Sequence, residues 1–150
     1  VAWTMTSWYG GTVDYIHHMP KPEDVTQAQA SYIRNYFMKF ASAAQAGSIS
    51  LTNTGYPYFI DIPSFIHYII IAEISSNADS YGLSTYFHKD RNGKLRAGPI
   101  WDSDLTFGND LALWGFDRSH TDVWQFHDYG NDGSKFWWVL FQNCQFRCYL

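Results

Sequence analysis

The chain has 150 residues, 46% of them apolar and 19% aromatic, a composition that excludes a disordered segment and suits one domain with a substantial core. Ten basic against 14 acidic residues leave a formal charge of −4, with no basic stripe to neutralise phosphates, which argues against a nucleic-acid polymer as partner. No run of 18 apolar residues is present, so no transmembrane segment is expected.

Residues Val1 to Tyr15 are rich in Trp, Tyr, Thr and Gly without clear periodicity, and His17-His18-Met19-Pro20-Lys21-Pro22 reads as a loop with solvated histidines. A helix follows. Thr26 and Gln29 have the spacing of a capping box, Ile33, Phe37, Phe40, Ala41 and Ala44 recur at steps of three and four, and Gly47 supplies a stop. The stripe is narrow, which predicts a surface helix with one buried face. Gly47 to Tyr58 is a polar connector. Pro63 suits the first residue of a second helix, where its missing N–H costs nothing. From Phe65 to Ile74 this helix is apolar nearly all round, the mark of a central buried element, with His67 and Glu73 as satisfied polar residues at its edge. It ends at Ser75-Ser76-Asn77 and delivers Asp79 on a turn.

Two β-type runs come next, Leu83 to Lys89 and Lys94 to Trp101, joined by Asp90-Arg91-Asn92-Gly93; Asn-Gly between alternating runs is a strong hairpin signal. A hairpin returns the chain, so Asp79 before its first strand and Asp102 after its second are expected side by side. Asp102 and Asp104, two apart, would point the same way in an extended segment and complete an acidic pocket. Asn109 to Gly133 is a long, Asp-rich and aromatic excursion, of a length that is uncommon unless functional. Phe136 to Tyr149 reads as a third helix. It carries Cys144 and Cys148 one turn apart, without further ligands that would make a zinc site, so they are expected to be free thiols among apolar neighbours.

The acidic pocket admits three chemistries. Close carboxylates suit Mg²⁺ held together with nucleotide phosphates, as in phosphoryl transfer. Paired carboxylates with stacking aromatics suit a glycosidase. Asp residues in turns also cap those turns through their own hydrogen bonds. Protein kinases place a catalytic Asp, four residues and an Asn, then a short β-ladder, then a metal-binding Asp. Here Asp79 is followed after four residues by Ser84, then by the hairpin and Asp102, which is the same order.

The blocks Ile60-Asp61-Ile62-Pro63-Ser64-Phe65-Ile66, Asn77-Ala78-Asp79, Leu83 to Arg91, Gly93-Lys94-Leu95 and Gly98 to Asn109 together resemble the CotH (spore coat protein H)-like kinase family. The likeness is to the form found in surface proteins of gut Bacteroidetes, runs from about Tyr15 to the C-terminus, and is most specific at Trp101-Asp102-Ser103-Asp104. The resemblance implies an α+β, atypical protein-kinase-like fold, secreted or surface-exposed, that binds ATP with Mg²⁺ and phosphorylates Ser or Thr of a protein substrate. It makes Asp79 the catalytic aspartate and Asp102 the metal aspartate, with Asp104 beside it and Ser84 in the place of a metal-binding Asn. A hydroxyl ligates Mg²⁺ more weakly than an amide oxygen does. Before Asp79 there is neither a strand-borne Lys nor a Gly-rich phosphate cover, so the expectation is mainly the lower, helical half of that fold, cut from a longer protein, with both an active and an inactive isolated chain left open. The alternative is a non-catalytic surface module that binds carbohydrate or protein through its aromatics.

Overall fold

The computed structural model describes residues 1–109, 117–122, 124–126 and 133–150. Strands β1 (Trp3–Thr6) and β2 (Thr12–Tyr15) pair antiparallel, Trp3 opposite Tyr15 and Thr6 opposite Thr12. Helices α1 (Gln27–Gln45), α2 (Tyr56–Phe59) and α3 (Ile62–Ile74) follow. Next come the antiparallel pair β3 (Phe87–His88) and β4 (Arg96–Ala97), and helices α4 (Lys135–Gln142) and α5 (Cys144–Arg147). The fold is α+β, compatible with part of a kinase-like fold.

Local chemistry explains most of these boundaries. The Thr26 hydroxyl accepts from the Gln29 amide at 3.3 Å while Gln29 Oε1 accepts from the Thr26 amide at 2.9 Å, the reciprocal capping box expected at the start of α1. Gly47, at φ +66°, ends the helix in the left-handed conformation that glycine adopts without cost. Asp61 caps α3 by accepting from the Ser64 amide at 3.0 Å, one residue earlier than Pro63 alone indicates. The β3–β4 strands are shorter than the alternating runs because Ser84, at φ +44°, breaks the first and Pro99, which has no N–H to give a ladder, ends the second. Gly10 and Gly11 join β1 to β2, a hairpin within the stretch that showed no clear periodicity.

Two expectations are corrected. α3 is not buried all round: Phe65, Ile66, Tyr68, Ile69 and Ala72 face the core, whereas Ile70 and Ile71 are half-exposed and Ile74 is 71% exposed. An all-apolar helix carries no internal mark of which side faces inward. The third helix is also two. Asn143 stands at ψ 116° between α4 and α5, its Oδ1 accepting from the Phe146 amide at 2.9 Å and from the Tyr56 hydroxyl at 3.3 Å. An Asn side chain offers the backbone an alternative to the helical ladder, and here it takes it. The two cysteines are free, as expected, but exposed rather than packed.

The core is built around Trp137 of α4, fully buried and unexposed, which meets Phe65 at 5.1 Å, Tyr68 at 5.3 Å and Tyr81 at 5.3 Å between ring centroids. Much of the aromatic content is therefore structural. α1 packs on α4 and α2, and α3 on β4. The Ile60–Leu95 bridge and the bond from the Ala97 amide to Ser64 Oγ (3.2 Å) fasten the hairpin to the start of α3.

Candidate functional site

Two turns meet beyond the end of α3. The first, Ser75 to Ser84, leaves the helix and carries Asp79; the second, Trp101 to Gly108, follows β4 and carries Asp102 and Asp104. The Phe107 amide donates to the Ser75 carbonyl at 2.6 Å, and the Ala78 amide donates to the Leu105 carbonyl at 3.3 Å. Ser84 Oγ donates to Asp102 Oδ2 at 3.2 Å. The hairpin thus returns the chain as expected, and it brings Ser84 and Asp102 together.

The backbone here is strained. Of the six non-glycine residues with positive φ among those described, five lie in these two turns: Ser76, Tyr81, Ser84, Asp102 and Phe107. Left-handed conformations cost energy in L-residues and gather where structure serves a site. Asp102 stands at φ +57°, so the expectation that an extended backbone aligns Asp102 with Asp104 does not hold. The Asp104 side chain is exposed, while its carbonyl accepts from Asn109 Nδ2 at 2.6 Å.

Buried and half-buried groups behind the first turn hold it in place. The Tyr68 hydroxyl shares a hydrogen bond with Thr85 Oγ1 at 2.9 Å and accepts from the Tyr81 amide at 3.3 Å. Glu73 accepts from the Tyr81 hydroxyl at 2.5 Å and from the Gln125 amide at 2.6 Å. Gln125 Nε2 in turn donates to the Asn77 carbonyl. Glu73 is therefore a satisfied polar residue, as expected. Burial pushes both phenols up, Tyr81 well above the ordinary tyrosine range, with the Glu73 carboxylate adding to the rise. The charge of half-buried Asp79 acts on Tyr68 in the same direction. Gly133 allows a close approach, since a Cβ there would lie 2.9 Å from the Tyr81 carbonyl oxygen. Of the long excursion from Asn109 to Gly133, residues 110–116, 123 and 127–132 lie outside the described residues.

A cavity of about 1080 Å³ opens between the β1–β2 hairpin, the first half of α1 and the segment from Tyr81 to Asp90. Ser84 lines it, as does Trp101; Asp79, Asp102 and Asp104 do not. His18, read as a solvated loop residue, lines it too and meets Tyr86 edge-on at 5.3 Å. Among the described residues no group of three or more His, Cys, Asp or Glu is placed to hold a metal ion. A hard cation here would rest on the Asp102 carboxylate with the Ser84 hydroxyl. That donor set fits Mg²⁺, which takes one or two protein carboxylates and fills its remaining positions with phosphate and water.

An α+β domain in which a helix delivers an Asp-bearing turn, followed by a short hairpin and a second acidic turn, is compatible with part of a kinase-like fold. A family model described as CotH kinase protein matches residues 4–147, and the chain belongs to that family. No curated protein and no solved structure matches it. Among the described residues, no helix is long and apolar enough to cross a membrane.

Proposed function

We propose that this chain is a CotH-like protein kinase domain that uses Mg²⁺ and ATP to phosphorylate Ser or Thr of a protein substrate, at the surface of the cell or secreted from it. The observation that carries the proposal is the Ser84–Asp102 hydrogen bond, which joins the two strained turns at the edge of a cavity large enough for a nucleotide. In this reading Asp102 and Ser84 hold the cation, and Asp104 is a further carboxylate two residues on in the same exposed turn. Bound there, Mg²⁺ would neutralise charge on the β- and γ-phosphate oxygens. Asp79 orients the acceptor hydroxyl and takes its proton. The turn that carries Asp79 is fixed on α3 through Tyr68, Glu73 and the bond from the Asn77 amide to the Ala72 carbonyl, and Asn77 Oδ1 accepts from the Asp79 amide within it, as positioning within a fraction of an ångström requires.

The test is transfer of the γ-phosphate from ATP to a Ser- and Thr-bearing protein acceptor. The wild-type chain should transfer, and Asp79→Asn should lower the rate about 10²- to 10⁴-fold with Mg-ATP affinity retained. An unchanged rate in Asp79→Asn would remove Asp79 from the chemistry. The second reading, a surface module for carbohydrate or protein, draws on the exposed rings of Tyr9, Trp124 and Phe107. A glycan that raises the melting temperature where Mg-ATP does not would favour it.

A further inference from the structure

Helix α5 and its C-cap hold two thiols that the acidic turns do not use. Phe146 is fully buried, meets Tyr56 edge-on at 6.1 Å and donates its amide to Asn143 Oδ1 at 2.9 Å, so the rotation of this turn is fixed. Cys144 and Cys148 each stand two residues from Phe146, about 200° around the helix, and both are exposed. The Cys148 amide donates to the Cys144 carbonyl at 3.2 Å, and Cys148 keeps helical angles at φ −65° and ψ −13°. The turn between them is therefore closed, and the two side chains share one face. Cys144 Sγ donates to Gln145 Oε1 at 3.1 Å, a weak and exposed bond.

Helical spacing decides what such a pair can do. Cβ atoms one turn apart on a helix are separated by about 5–6 Å, whereas a disulfide needs about 3.5–4.5 Å, so the closed turn keeps the thiols free. A metal ion held between two thiolates asks for more room, two sulfur–metal bonds of about 2.3 Å end to end, and Sγ atoms swung toward each other on this face span it. Among the described residues no group of three or more His, Cys, Asp or Glu is placed to hold a metal ion, which leaves out a four-ligand zinc site. A soft monovalent ion is satisfied by two thiolates in line, and thiolates favour Cu(I).

We infer that Cys144 and Cys148 form a two-thiolate site for a soft monovalent cation of the Cu(I) type. Each thiol gives its proton to solvent on binding, so one cation enters, two protons leave and no electron is transferred; affinity therefore rises with pH. The two donors act as one linked ligand, and losing either should weaken binding about 10²- to 10⁴-fold. The site stands apart from the proposed function and does not depend on it.

Anaerobic titration with Cu(I), read against bicinchoninate as a competing chromogenic chelator, tests this on wild type, Cys144→Ser and Cys148→Ser, with Zn²⁺ as a second probe. Expected are two titratable thiols per chain beforehand and one Cu(I) held per monomeric chain. Each variant should hold Cu(I) about 10²- to 10⁴-fold more weakly, and Zn²⁺ should be held no more tightly by wild type than by the variants. Both cysteines are exposed, so the serine variants are expected to fold, which the far-ultraviolet circular dichroism of each sample checks. Cu(I) held as tightly by either variant as by wild type overturns the site. One Cu(I) for every two chains, with a doubled mass in light scattering, overturns it too, because each cysteine would then be a donor between copies. Wild type holding Zn²⁺ as tightly as Cu(I) overturns the choice of ion, and an untreated chain without titratable thiols would show the pair already bridged and overturn the site.

Discussion

The turn from Ser75 to Ser84 and the turn from Trp101 to Gly108 touch each other, yet they are held by different means. The first is buried at Ser75, Ser76, Asn77, Ser80 and Tyr81 and is bonded from behind by Tyr68, Glu73 and Gln125, with Trp137 packed against Tyr81. The second is exposed from Trp101 to Asp104 and hangs on the first through three hydrogen bonds. Both carry left-handed residues, but only the first has a packed network to offset their cost. The lesson is a division of labour: the buried turn sets position, and the exposed turn presents oxygen atoms to solvent and, in the proposed function, to the cation. Changes in the first should therefore register as stability and changes in the second as binding.

The sharpest way to break this comparison is to cut both sides. Trp137→Ala removes the hub behind the first turn and should cost about 3–5 kcal/mol in urea unfolding. Phe107→Ala, in the second turn and 73% exposed, should stay within about 0.5 kcal/mol. Similar costs for the two would end the distinction. Next in size, Tyr81→Phe takes the donor away from Glu73 and should destabilise by about 1–3 kcal/mol, with faster hydrogen exchange at amides from Ser76 to Ser84.

Alkaline pH sharpens the same contrast without mutation. Tyr68 and Tyr81 have folded-state pKa values raised above the unfolded value near 10, so their contribution is fully present below pH 10. Above it the unfolded chain loses these protons first, and stability should fall by about 1.4 kcal/mol per pH unit for each phenol. Equilibrium unfolding between pH 8 and 11 should show a plateau and then a decline, and the decline should be shallower in Tyr81→Phe. A small effect is also expected for Asp102→Gly. Release from φ +57° and loss of the exposed bond to Ser84 oppose each other, so stability should shift by less than about 1 kcal/mol in thermal melts.

What the sequence disclosed follows the range of the interactions involved. Capping of α1 by Thr26 and Gln29, the start of α3 near Pro63 and the Asn92-Gly93 turn all depend on neighbours within a few residues, and all were legible. The β1–β2 hairpin had a signal that went unread: Trp3 and Met5 are buried in alternation with exposed Thr4 and Thr6, ahead of Gly10-Gly11. The inward face of α3 was not legible, because apolar residues on every side erase the amphipathic pattern. At the site, the order of Asp79, hairpin and Asp102 foretold two adjacent turns. It could not foretell that Gln125, 52 residues beyond Glu73, ties the first turn down. Nor could it place Asp102 in a left-handed conformation, since that depends on the return path of the chain rather than on residue type.

Family membership makes a kinase-type domain of this chain, and the proposed function places a cation at the Ser84–Asp102 pair. The most direct test is calorimetric titration of Mg-ATP into the wild-type chain and into Asp102→Ala, both verified as folded. Saturable binding by wild type that depends on Mg²⁺ and is lost in Asp102→Ala is expected. Equal affinity in the two proteins, or binding indifferent to Mg²⁺, would contradict it.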